Sequence, residues 1–207
     1  MANVLTGGAP LKIARAAAIL VHGRGASAED ILSLGAEFGR DDIAYVAPQA
    51  ENHAWYPYSF LAPLAQNEPH LSRALATLGA TLERLAKEGF APERIALIGF
   101  SQGGCLALEH AARNARRYGA IAGLSAGLIG PPGTPRDYAG AFAATPVFLG
   151  CSDVDPHIPL PRVHETRDVL GRMGAAVTTR VFPGMAHTIN ADEIAAVGKL
   201  LAGIGGV

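Results

Sequence analysis

The chain has 207 residues, 17% charged residues and a formal net charge of −1, so it can bury one sizeable core but carries no global field to hold nucleic acid or an anionic membrane. Its two cysteines, Cys105 and Cys151, both sit in apolar runs, which fits reduced core thiols in the cytoplasm better than a disulfide framework. That length and the absence of any linker-like tract lead to the expectation of a single domain over residues 1–207, with no membrane span.

In chain order, residues 3–6 read as an antiparallel strand that turns through Gly7, Gly8, Ala9 and Pro10. The segment ARAAAILVHG follows at 14–23. Its apolar centre is shorter than a signal-peptide core and lacks a clear cleavage site, so it reads as a strand over 17–21. Short β-rich runs then alternate with helical spacing: strands over 43–47, 95–100, 120–124, 146–150 and 177–182, and helices over 28–38, 71–88, 103–117, 160–173 and 191–201. Ser27 with Asp30, and Asn190 with Glu193, have capping-box spacing at two of the helix starts. This alternation predicts a mostly parallel central sheet with helices on both faces.

Two stretches, GFSQG at 99–103 and GLSAG at 123–127, spell Gly-x-Ser-x-Gly, a pattern that can present a serine as a nucleophile. With seven serines and 25 glycines, chance predicts roughly 0.1 such matches, so two is an excess. Context separates them. A buried strand runs into Ser101 and good helix formers follow it, whereas Ser125 is followed by LIGPPGTPRDYAG, whose prolines and glycines cannot continue as a helix. Ser101 is therefore the candidate nucleophile, and Ser125 reads as a strand-end serine bonded to nearby backbone.

A serine hydroxyl needs a base, and the base needs an acid to fix its tautomer. The strand TPVFLG runs into CSDVDPHIPL, and VTTRVF runs into PGMAHTIN, which supplies acid and histidine in the order of an α/β-hydrolase. Asp153 and Asp155 compete for the acid; Asp155 lies deeper in the turn and is preferred, with Asp153 left as a turn-forming or helix-side partner. Among seven histidines, His187 alone stands on the loop after the last strand; His70, His110 and His164 fall in helices, and His53 and His157 lie in loops near the expected site. No His/Cys spacing reads as a metal site, and no cofactor is called for. In ILVHGRGAS, Gly23 and Gly25 permit close backbone approach, so the N–H of Arg24 can join that of Gln102 around a developing oxyanion, with His22 bracing the turn.

The motifs LVHGRG, GFSQGG, DVDPHIP and GMAH, in this order, resemble the phospholipase/carboxylesterase family of α/β-hydrolases, the group that contains the acyl-protein thioesterases. The resemblance implies a Ser101, Asp155, His187 triad, Arg24 and Gln102 as oxyanion donors, and cofactor-free hydrolysis of carboxylic esters or thioesters. Two other readings stand beside it: a lactone hydrolase using the same serine machinery, and a non-catalytic α/β-hydrolase fold that binds a small molecule or a protein.

Only residues 48–69 and 126–145 could supply a lid, and both are short, so no large lid domain is expected. The first carries Trp55, Tyr56, Tyr58, Phe60 and Leu61, and part of it, with Trp55 first and Tyr56 and His53 nearby, is expected to wall an open pocket for short or medium acyl chains. Arg24 has two readings: a salt bridge bracing its loop, or recognition of a substrate carboxylate or phosphate. The expected partner is a small ester or thioester, and a homodimer is compatible with the composition.

Overall fold

The structure is a computed structural model that describes residues 3–205. Seven strands join one sheet: β1 (Val4–Gly8), β2 (Ala16–Val21), β3 (Ile43–Pro48), β4 (Ile95–Phe100), β5 (Ala120–Leu124), β6 (Pro146–Ser152) and β7 (Ala176–Phe182), in the order β1-β3-β2-β4-β5-β6-β7. Among the described strands only β1 runs antiparallel, Val4 lying opposite Pro48 and Gly8 opposite Ala44. Strands β2 and β3 are buried along their whole length, as central parallel strands covered on both faces must be.

The helices are α1 (Ala28–Glu37), the short α2 (Leu64–Asn67), α3 (His70–Lys87), α4 (Ser101–Arg113), α5 (Leu160–Arg172) and α6 (Ala191–Ala202). On one face of the sheet, Ile19, Val21, Leu97 and Ile121 pack with Leu78 and Leu82 of α3, Leu106 of α4 and Val169 of α5. On the other face, Leu20, Tyr45, Ile98 and Leu124 pack with Ile31 of α1 and Val197 and Leu201 of α6. The expected layered α/β-hydrolase architecture is therefore present, and residues 126–145 form no lid domain. Both expected capping boxes are closed: Ser27 accepts from the Asp30 N–H and Asn190 from that of Glu193.

Most element boundaries fall one or two residues from the sequence expectation, and the largest departure is at the end of α4. Helix α4 begins at Ser101 rather than 103, and it ends at Arg113 rather than 117 because the Asn114 amide bonds back to the His110 carbonyl and Ala115 pairs with Gly140. The turn Glu51–His53 and α2 were not foreseen; both lie in the loop between β3 and α3, where no hydrophobic period exists to signal them.

The chain leaves β2 toward β3 on one side, and later places β4 on the other side of β2. That reversal opens a crevice at the carboxyl ends of β2 and β4, where open α/β sheets bind ligands. The loops after β2 and β4 carry Arg24 and Ser101.

Candidate active site

Strand β4 enters a tight turn at Ser101, whose φ of 52° lies in the left-handed region that non-glycine residues seldom adopt. The surroundings enforce it. A Cβ at Gly99 would come within 2.5 Å of the Gly103 carbonyl, and one at Gly103 would collide with the His22 carbonyl, so α4 can press against both strands only with glycine at these two places. The serine is thus held at the N-terminus of α4, above the crevice.

The second Gly-x-Ser-x-Gly has a different explanation. Ser125 also has a positive φ, 44°, but no helix follows until α5. A Cβ at Gly123 would meet Leu108 at 2.7 Å, and one at Gly127 would meet Arg162 at 2.7 Å. Those glycines answer to close packing. The Ser125 N–H donates to the Gly150 carbonyl, but its buried Oγ has no partner among the described residues, so the expected backbone bond of that hydroxyl is absent.

His187 Nε2 lies 2.8 Å from Ser101 Oγ, and His187 Nδ1 lies 2.7 Å from Asp155 Oδ2. The Asp155 side chain is fully buried, and its other oxygen accepts from the N–H groups of His157 and Ile158. Burial works against the Asp155 charge, but the bonds from His187, His157 and Ile158 outweigh it and hold the carboxyl below its ordinary range. Asp153 is elsewhere: its Oδ1 accepts from the Gly184 N–H at 2.8 Å, tying the loop that carries His187 to the loop that carries Asp155. The His187 ring lies between Phe100, at 5.0 Å, and His157, at 4.8 Å, so packing as well as the carboxylate sets its plane.

Arg24 and Gln102 line the same cleft as Ser101 and His187, and neither backbone N–H donates to a protein acceptor among the described residues. His22 braces the turn as expected: its Nε2 accepts from the Ala50 N–H, which leaves Nδ1–H to donate to the Gly23 carbonyl. Burial pushes its pKa down, consistent with a neutral ring. Arg24 does brace its neighbourhood, but through three backbone carbonyls, those of Tyr56, Pro57 and Tyr58, rather than through a salt bridge.

A cleft of about 600 Å³ opens beside Ser101, lined by Arg24, Tyr56, Tyr58, Phe60, Ile158 and both site histidines, His157 and His187. Tyr56 belongs to this wall with its ring almost wholly buried. Two other expected wall residues do not. Trp55 is 5% exposed, its indole N–H donates to the His22 carbonyl at 2.8 Å, and its ring rests on His22; it borders a separate cavity beside Arg73 and Ala74. The indole N–H needed a buried acceptor, and the one available lies under the loop rather than in the cleft. His53 is likewise turned away: its ring bonds the Ala26 carbonyl and its own carbonyl accepts from the Gly25 N–H. Cys105 lies one helical turn past Ser101 at the cleft floor, and burial pushes its thiol up to about 12, so it is not poised as a nucleophile.

Three contributors had no sequence signal of their own. The Gln102 carboxamide reaches into the wall, accepting from the Trp55 N–H and donating to the Tyr56 carbonyl. Asn67, fully buried, bonds the Tyr58 N–H and the Ser59 carbonyl. Arg162, also buried, donates to the Leu128 and Gly130 carbonyls and anchors the segment behind Ser125. Among the described residues no group of three or more His, Cys, Asp or Glu side chains could hold a metal ion, and no helix is long and apolar enough to cross a membrane.

Glu193 stands just beyond the His187 loop. One oxygen closes the α6 capping box, while Oε1 fills the space that a Cβ on Gly150 would occupy and has no partner among the described residues. Burial pushes its pKa up to about 7 from an ordinary 4.5. Folded protein therefore keeps a proton that unfolded chain releases between these values, and stability should fall as pH rises through that window, by at most about 3 kcal/mol. Glu193→Gln should remove this part of the slope. Melting temperatures from pH 4.5 to 8 measure it, and parallel curves for the two proteins would count against the burial account.

Comparison with known proteins agrees with this architecture. Residues 9–203 match the family model described as Phospholipase/Carboxylesterase. A solved phospholipase/carboxylesterase from Dyadobacter fermentans superposes with a TM-score of 0.94 at 44% identity, covering 98% of this chain and 97% of that one. Esterase PE8 superposes with a TM-score of 0.81 at 26% identity, covering 98% of each chain. Acyl-protein thioesterase 1 of Gibberella zeae is 33% identical over 111 residues, 51% of this chain and 46% of that protein. The chain thus spans about half the length of the first curated relatives it matches, with 54% covered in the thioesterase of Saccharomyces cerevisiae. On the match over 9–203, the chain belongs to the phospholipase/carboxylesterase family.

Proposed function

We propose that this chain is a serine hydrolase that cleaves carboxylic esters or thioesters of short to medium acyl chains through an acyl-enzyme intermediate. The observation that carries the reading is the unbroken line of hydrogen bonds from Asp155 through His187 to Ser101, at 2.7 and 2.8 Å. Ser101 Oγ attacks the carbonyl carbon while His187 Nε2 takes its proton. Asp155 keeps His187 in the tautomer with Nδ1–H and stabilises the imidazolium that forms. The N–H groups of Arg24 and Gln102 receive the carbonyl oxygen as it becomes negative. His187 then returns the proton to the departing alcohol or thiol, and a water molecule repeats the sequence to release the acid.

The cleft of about 600 Å³ presents Tyr56, Tyr58 and Phe60 beside Ser101, and these aromatic side chains support an acyl group as the part of the substrate it holds. Two buried, unpaired cysteines support a reducing compartment such as the cytoplasm. A fluorophosphonate probe should label the wild-type protein at Ser101. A p-nitrophenyl ester series from acetate to palmitate, run beside acyl thioesters, should peak at short or medium chains with no jump when the substrate forms micelles. Absence of labelling would leave a binding protein on this fold, and a palmitoyl preference with interfacial activation would overturn the acyl-length reading.

A further inference from the structure

Arg24 and Gln102 share more than a backbone role. The Gln102 carboxamide accepts from the Trp55 N–H at 2.9 Å and donates to the Tyr56 carbonyl at 2.8 Å. The Arg24 guanidinium donates to that same Tyr56 carbonyl at 2.8 Å, to Tyr58 at 2.7 Å and to Pro57 at 3.0 Å. One carbonyl of the cleft wall therefore receives a bond from the side chain of each residue. No carboxylate pairs with Arg24 among the described residues, so its charge is directed at these carbonyls, in the stronger, charge-assisted class of bond. The tie is reinforced behind the wall, where the Trp55 indole holds the His22 carbonyl and the Gly25 N–H bonds the His53 carbonyl.

Oxyanion donors lower a barrier only if they are in place before the charge develops. Here both donors depend on their neighbours for their position. Arg24 lies between two glycines, which restrain a backbone least, and Gln102 follows a serine in a sparsely populated conformation that persists only when neighbours hold it. We propose that the Gln102 carboxamide and the Arg24 guanidinium are positioning groups that lock the oxyanion donors to the 55–58 wall, so that the position of the wall sets turnover. This rests on the reading that the two N–H groups are the oxyanion donors. An acyl chain too large for the cleft then loses kcat rather than KM, because pressure on the wall displaces the donors through these bonds.

The test uses Gln102→Met, which keeps the backbone N–H and most of the buried volume but removes both side-chain bonds, and Gln102→Glu, which keeps an acceptor for the Trp55 N–H and loses the donor to Tyr56. Arg24→Lys is the second variant, retaining charge without the fork, for use if the Met protein does not fold. Each is assayed on the best short-chain p-nitrophenyl ester and for affinity toward a trifluoromethyl ketone that forms a tetrahedral oxyanion on the serine. Gln102→Met should lower kcat about 30-fold and weaken the ketone by a similar factor, with KM within threefold, since donor displacement below an ångström costs less than outright loss of a donor. Gln102→Glu should fall between Met and wild type. A melting temperature that drops while kcat and ketone affinity stay within threefold would overturn the proposal and leave these bonds a purely structural role. Failure of the underlying functional reading looks different: the wild-type protein itself would resist the fluorophosphonate and hydrolyse none of the esters.

Discussion

Ser101→Ala should lower ester turnover by about 10⁶-fold while the fold persists, the order of loss when the nucleophile of a well-studied serine protease is removed. The side chain is small, its Oγ makes its bond to His187, and alanine leaves the glycine packing of the elbow intact. Ser125→Ala is the contrasting variant. Its buried hydroxyl has no partner among the described residues, so removing it relieves an unsatisfied group, and we expect full activity with stability unchanged or raised by up to about 1 kcal/mol. Steady-state kinetics and thermal melts on both proteins decide the matter. An active Ser101→Ala protein or an inactive Ser125→Ala protein would end the nucleophile assignment.

The acid should show the next largest effect. Asp155→Asn should cut turnover about 10⁴-fold, because an amide at this position no longer selects the His187 tautomer with Nδ1–H or stabilises its cation. Two backbone N–H groups already engage Oδ1, so the substitution should leave the loop in place. The lowered pKa of Asp155 also gives a sign for stability. Its contribution is present above the ordinary carboxylate range and is lost as pH falls through the lower folded value, so acid melts of wild type should steepen there relative to Asp155→Asn. Asp153→Asn should be far milder, since an amide oxygen can still accept from Gly184. Reversed magnitudes would make Asp153 the orienting acid.

Much of this site was legible before any coordinates. Ser101 announced itself by a strand before it and a helix after it, and His187 by its place on the loop after the last strand. Asp155 was separable from Asp153 only by depth in the turn, a weak signal that the geometry then strengthened with three hydrogen bonds to one carboxylate. Trp55 shows where such reasoning stops. An aromatic cluster among prolines says that a loop will bury apolar surface, but not on which side, and the indole turned toward the His22 carbonyl while Tyr56, Tyr58 and Phe60 faced the cleft. Arg24 fell between its two readings, because a guanidinium can be satisfied as well by carbonyls as by carboxylates, and carbonyls have no signature in sequence.

The layered architecture, the elbow at Ser101 and the order in which serine, acid and histidine leave successive strands could all be read along the chain. These are consequences of local periodicity and turn chemistry, which each short segment carries with it. How the loops meet was settled by packing across the sheet: the Tyr56 carbonyl takes bonds from both Arg24 and Gln102, Asp153 ties the loop of Asp155 to the loop of His187, and Glu193 is buried against Gly150. Those pairings join residues 31 to 46 positions apart, such as Asp153 with Gly184, Arg24 with Tyr56 and Gln102 with Tyr56. The partners come together only once the sheet has brought its carboxyl ends to one edge, and no spacing along the chain encodes which backbone group a side chain will find there.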